Sequence, residues 1–379
     1  MRTAIRLSFG ALALAGLTAC GSGTTPAAEG AKGSAAPGKI TVAASDTECK
    51  VAASEIAAGT STFTITNGGS KVTEFYVYAP GDRVMAEVEN IVPGLTRELV
   101  AELPAGAYET VCKPGMVGKG IRNALKVTGE HKALTSDAAL AEAVTSYKRY
   151  IKSQSDTLLV KTQEFVDAVK AGEIDKAKEL YPVSRTYWER IEPVAEIFGD
   201  LDPAIDAREA DLADGEEWTG FHRIEKDLWI KKDVAKDGPI ADKLLTDVKT
   251  IVEKANAAEL TPLNLANGAK GLLDEVASGK ITGEEDIWSH TDLWDFDANL
   301  QGSKAAVQSL RPVLEERAPD LVKTLDEKFA AAEAALGAHQ KGDGWKLHDE
   351  LSKAELKALS DAINALGEPI SKIAPVIAK

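Results

Sequence analysis

The chain has 379 residues, which on a soft prior of roughly 150 residues per domain suggests two or three domains. Its 44% hydrophobic content is ordinary for a folded protein with a sizeable core. Its 44 basic and 59 acidic side chains leave a net charge of −15, which excludes the phosphate backbone of nucleic acid as a natural partner and permits a cation, although acidity alone also serves solubility.

The N-terminus reads "MRTAIRLSFGALALAGLTAC". Arg2 and Arg6 precede an apolar run and then small residues, the pattern of a secretory signal and too short for an ordinary membrane span. The run ends in Leu17-Thr18-Ala19-Cys20, which resembles the lipobox of bacterial lipoproteins. That resemblance implies that Cys20 is lipidated and becomes the first mature residue, so that a soluble protein is held outside the cytoplasm on the cell membrane. Residues 21–38 are rich in Gly, Ala, Ser, Thr and Pro and read as a flexible tether. No later stretch is apolar for long enough to cross a bilayer. With Cys20 set aside, only Cys49 and Cys112 remain, and in an oxidising compartment a disulfide is their default state.

Residues 39–129 alternate apolar and polar side chains in short runs such as "KITVAAS", "STFTITNGG" and "TEFYVYAPG", broken at Gly, Pro and Asn. Short strands at this spacing predict a β-sandwich or barrel. From Ser136 to Lys379 the period changes to that of helices. The first long run stops at Gly172, and others cover 173–198, 216–232, 240–258, 263–278, 290–317, 321–338 and 351–366. The expected fold is therefore α+β and multidomain, a β-sandwich followed by an all-α bundle over 136–379.

The chemistry concentrates in the helical half. In "WTGFHRIEKDLW", His222 and Glu225 stand three residues apart and share a helix face, so both can reach one point. A ring nitrogen and a carboxylate are ordinary ligands for a transition metal, and bundles assemble such sites from facing helices. The alternative is a core helix that happens to hold a histidine. Glu189 and Glu192 repeat the three-residue spacing, and Asp206 follows. A second acidic and aromatic block, "GEEDIWSHTDLWDFDANLQG", holds Glu284, Glu285, Asp286, His290, Asp292 and Asp295. Tryptophans 218, 229, 288 and 294 lie in or beside the two histidine blocks, which ties both to packed surroundings. No His-Glu-x-x-His, Gly-x-Ser-x-Gly, P-loop or dinucleotide fingerprint occurs.

Taken in order, "YWERIEPVAE", "DLDPAIDAREAD", "WTGFHRIEKDLW" and "SHTDLWDFDANLQG" resemble the imelysin-like, His-x-x-Glu helical domain of bacterial extracytoplasmic iron-uptake components, over most of 136–379. The resemblance implies a bundle that binds iron, as Fe2+ or Fe3+, and hands it to a membrane permease, with a haem peroxidase of the same system as a further partner. It implies a primary site of Glu189, Glu192, Asp206, His222 and Glu225. Glu285, His290 and Asp292 are candidates for a second site or for a hydrogen-bonded packing cluster. The same resemblance implies a cupredoxin-like sandwich over 39–129, with Cys49, Glu74, Glu87, Cys112 and Met116 as candidate ligands for copper or iron. No histidine precedes His131, so a His₂Cys electron-transfer site cannot form there. Two readings of the cysteines stay open: a disulfide across the sandwich, or a two-thiolate site assisted by Glu74. Nothing identifies a redox catalyst, so the expectation is a metal-binding protein rather than an enzyme. The rivals are a His-x-x-Glu metallopeptidase, which needs an activated water, and a metal-bridged binder of an anionic polysaccharide.

Overall fold

The computed structural model describes residues 38–198, 201–212 and 215–379. The expected signal, Cys20 and tether residues 21–37 lie outside the described residues.

Nine strands build the first part: β1 (Lys39–Ala44), β2 (Cys49–Val51), β3 (Glu55–Ala57), β4 (Gly59–Asn67), β5 (Thr73–Ala79), β6 (Arg83–Ile91), β7 (Thr96–Leu103), β8 (Gly106–Pro114) and β9 (Ile121–Thr128). They form two sheets, ordered β2-β1-β4-β7 and β3-β9-β8-β5-β6. Most pairs are antiparallel, but β1 runs parallel to β4, with Ile40 opposite Phe63, and β3 runs parallel to β9. Strict alternation in β1 buries Ile40, Val42 and Ala44 while their neighbours face water. These residues meet Phe63, Ile65, Phe75, Val77, Leu125 and Val127 in one core shared by both sheets.

A disulfide joins Cys49 on β2 to Cys112 on β8, with 5.6 Å between Cα atoms. It ties one sheet to the other, so neither sulfur is a thiolate ligand. The two-thiolate reading fails on a second count. Cys112 pairs in register with Phe75 and faces the core, whereas Glu74 is one position along β5 and faces the opposite side. Period-two alternation puts Glu74 and the cysteines on different faces of the sheet. Glu74 instead lies 3.6 Å from Lys113 Nζ. Glu87 sits on β6 opposite Tyr76, and Met116 occupies a half-buried turn after β8 with φ 60°. The structure does not gather these five residues into one site.

The helical part comprises α1 (Ala138–Ala171), α2 (Ile174–Glu189), α3 (Glu192–Ala195), α4 (Leu201–Asp206), α5 (Gly220–Lys226), α6 (Gly238–Ala257), α7 (Pro262–Ser278), α8 (Asp292–Arg317), α9 (Pro319–Gly337), α10 (Lys353–Ile370) and α11 (Ile373–Ile377). Asp137 caps α1 by accepting from the amides of Ala139 and Leu140, and Gly172 ends it at φ 71°. α1 packs along α2 and α6, α7 along α8, and α9 along α10. The run expected over 173–198 breaks after Glu189 and restarts at Glu192, just before Pro193, whose ring suits a first helical turn and not a helix interior. The run expected from 216 begins only at Gly220. A short hairpin, Gln340–Lys341 with Gly344–Trp345, was not expected. The two parts touch: Asn267 on α7 donates to the Val100 carbonyl on β7 at 2.9 Å, and Val100 is buried in the helical core.

Candidate metal centre

Four separate elements meet at His222. Gly220, which opens α5, has φ 89°, and a Cβ there would collide with the Ile205 carbonyl of α4. Only glycine tolerates both demands, so this residue sets how closely α4 and α5 approach. Asp206 at the end of α4 is thereby placed beside His222 on α5. Beyond Lys226 the helix widens into a π turn, Asp227–Lys231. Such turns are frequent at functional sites. The loop between α7 and α8 adds Glu285 and Asp286, and α2 supplies Tyr181 and Arg185.

His222 is 1% exposed. Its Nδ1 lies 3.2 Å from Glu225 Oε2, 3.2 Å from Tyr181 Oη and 3.8 Å from Asp286 Oδ1. Its Nε2 lies 3.5 Å from both Asp206 Oδ1 and Glu285 Oε1 and has no hydrogen-bond partner. Each ring nitrogen thus forms a triad with two carboxylates, Asp206–His222–Glu285 and His222–Glu225–Asp286, whose ligand atoms all fall within 4.8 Å of one another. Ligands bound to one ion at about 2.1 Å stand about 3–3.4 Å apart, close to the spacing around Nε2. Nitrogen with carboxylate oxygens is a donor set that suits iron in either common oxidation state.

The carboxylates are held in place. Glu225 Oε1 accepts from the Trp288 and Ser289 amides at 3.1 and 2.7 Å. Asp206 Oδ2 accepts from Trp188 Nε1 at 2.8 Å, and Asp286 accepts from Tyr181 Oη at 2.8 Å and from Thr291 Oγ1. Burial and the Arg185 charge push the His222 pKa down, but the surrounding carboxylates Glu225, Glu285 and Asp206 prevail and raise it to about 10. Burial would raise Glu285, yet Lys280, His222 and Arg185 hold it well below the usual carboxylate range. Asp206 is raised, chiefly by burial.

Of the primary set expected from sequence, Asp206, His222 and Glu225 come together. Glu189 and Glu192 do not join them. Glu189 is gripped by Arg185 and Lys280 and accepts from Asn299 Nδ2 at 3.0 Å; Lys280 Nζ also lies 3.7 Å from Glu192 Oε2. The expected second site is not assembled. Glu285 belongs to the His222 triad, and Asp292 Oδ1 accepts from the Asp286 amide at 3.3 Å. The His290 side chain is 38% exposed and faces Asp349 at 3.9 Å, turned away by a backbone φ of 60°. Sequence reasoning missed Arg185, Lys280 and Asp286 as members of the site. The signal for Arg185 was its four-residue spacing to Glu189, and for Asp286 its place beside Glu285.

The family model described as imelysin matches residues 143–373, and that of the cupredoxin-like domain matches residues 10–121. The chain is 39% identical over 346 residues to the iron uptake system component EfeO of Escherichia coli O157:H7, covering 89% of this chain and 91% of that protein. It is 38% identical, with the same coverage, to the protein of that name from Shigella flexneri.

Proposed function

The chain belongs to the imelysin family, as an EfeO-type member with a cupredoxin-like domain ahead of the helical one, and from that premise we propose that its helical domain carries iron at His222 as cargo of an iron uptake system. The ion is held by His222 with Asp206 and Glu285 on one side of the ring, or with Glu225 and Asp286 on the other. Working outside the cytoplasm from a lipid anchor at Cys20, the protein collects iron and passes it to a membrane permease. A haem peroxidase of the same system is a further partner in this reading.

The single observation that carries it is the unpartnered His222 Nε2, buried and aimed between two carboxylates from different elements. A buried polar atom left without a partner costs about 1–3 kcal/mol, a penalty that a bound ion would remove. The acidic groups around it supply charge for a cation, and the imidazole adds a donor that favours transition metals over magnesium or calcium.

Calorimetry with iron on the whole protein tests this. The wild type should bind iron at micromolar affinity or better, on the order of what a buried three-ligand site supports. His222→Ala should lose at least about tenfold in affinity while keeping its helical circular dichroism. Equal affinity in the two proteins would remove His222 from the site.

A further inference from the structure

Arg185 is wholly buried, and its fork grips the two oxygens that flank His222 Nε2. One terminal nitrogen contacts Asp206 Oδ1; the other donates to Glu285 Oε1 at 2.8 Å. These are the same oxygens that stand 3.5 Å from His222 Nε2. The guanidinium thus occupies the acceptors that an ion bound at Nε2 would use. Its Nε, by contrast, has no hydrogen-bond partner. Both oxygens of Asp295 also lack one, and Oδ1 lies 3.5 Å from that Nε. A guanidinium placed only to brace the fold would be expected to use all its donors when buried. This one leaves a donor unused beside an unused acceptor, and the same Nε lies 3.6 Å from Asp286 Oδ1, so further carboxylates stand within reach of a guanidinium that releases the first two.

We propose that Arg185 is the resident counter-cation of the site: it neutralises Asp206 and Glu285 in the ion-free protein, and an incoming ion must take those oxygens from it. The inference rests on the reading of His222 as the ion's ligand and adds what sets the affinity there. A guanidinium stays charged at any working pH, so it cannot withdraw by losing a proton. An ion about 2.1 Å from the shared oxygens would sit within about 5 Å of it, in a buried setting where like charges repel strongly. Arg185 therefore weakens binding and, on returning to its oxygens, assists release. A protein that must give up its cargo benefits from such an internal competitor.

The alternative role is a brace that positions the two carboxylates, and it predicts the opposite sign. Calorimetry of the whole protein with ferrous iron under anaerobic conditions separates them, beside thermal melting with and without iron. Arg185→Met keeps most of the stem and removes the charge. It should bind iron about tenfold tighter or more, show a larger iron-induced rise in Tm, and melt earlier than wild type without iron. Arg185→Lys keeps the charge but can hold only one of the two oxygens, so its affinity should fall between the two. Equal or weaker binding by Arg185→Met overturns the proposal. Should Arg185→Met fail to fold, Arg185→Lys decides: tighter than wild type supports it, equal or weaker overturns it. Iron binding by wild type that is insensitive to His222→Ala would overturn the site reading and this inference with it, whereas binding lost in His222→Ala but not tightened in Arg185→Met would overturn the inference alone.

Discussion

Glu74 on β5 is 5% exposed, and its Oε2 lacks a hydrogen-bond partner. Burial raises its pKa, the Lys113 charge offsets part of that, and the outcome is about 7 against an ordinary value of 4.5. The folded state therefore keeps this proton to a higher pH than the unfolded state does. Below the unfolded value both states are protonated and the group is neutral for stability. As pH rises from there through about 7, folding loses ground, and the loss then stays constant. Glu74→Gln should accordingly leave Tm near wild type at pH 4 and raise it by about a few degrees at pH 8, as melting curves at both pH values would record. A gain of equal size at both would acquit the ionised carboxylate. At this scale the sequence exposed some chemistry and hid the rest. His222 and Glu225 were legible because three-residue spacing fixes a shared helix face. Glu189 and Glu192 have that spacing too, yet Lys280, ninety-one positions from Glu189, arrives to hold them. Arg185 meets Glu285 across a hundred positions. Periodicity reports which residues share a face, and it is silent about which charge another element brings to that face.

At the scale of elements, the helices from α6 to α10 begin and end close to where apolar spacing, Gly and Pro put them, because each buries one continuous face in the core. The departures cluster around the candidate metal centre. α5 starts four residues late and loosens into a π turn, and His290 adopts a positive φ in place of a helical start. The local backbone there departs from what propensity favours, as it often does at functional sites. Gly220 is the tightest of these devices. Gly220→Ala places a Cβ against the Ile205 carbonyl at a φ that side chains rarely adopt, which costs on the order of 1–3 kcal/mol. The expected result is a Tm lower by several degrees together with weaker iron binding, since α4 and α5 carry Asp206 and His222. Thermal melting and calorimetry on one preparation check both; an unchanged affinity would mean that α4 is free to back away without disturbing the ligands.

The whole molecule joins a sandwich stapled by a disulfide to a bundle that combines apolar packing with buried ion pairs around Arg185 and Lys280. The disulfide spans 63 residues, and closing a loop of that size stabilises by about 4 kcal/mol in the chain-entropy account. Replacing Cys49 and Cys112 by Ala should lower sandwich stability by about that amount in denaturant melts while iron binding at His222 stays within about twofold of wild type. A large loss of iron binding would show instead that the sandwich shapes the bundle site through the Asn267–Val100 junction. The order of the two parts, strands then helices, was plain from the change of period near residue 130. Their junction was not, because a side-chain amide meeting a backbone carbonyl 167 positions away leaves no local pattern.

The depth of His222 has a kinetic consequence. Arg185, Glu225, Asp286 and Asp292 near it are wholly buried, while the side chains of Asp206 and Glu285 at its Nε2 keep 9% and 6% of their surface exposed. On the proposed reading, elements that part to admit an ion to so buried a ring also part to release it, so loading and unloading share one opening step. The loading rate then climbs with iron concentration only until that step limits it. Beyond that point the proposed carrier, and not the supply of iron, sets the pace of exchange.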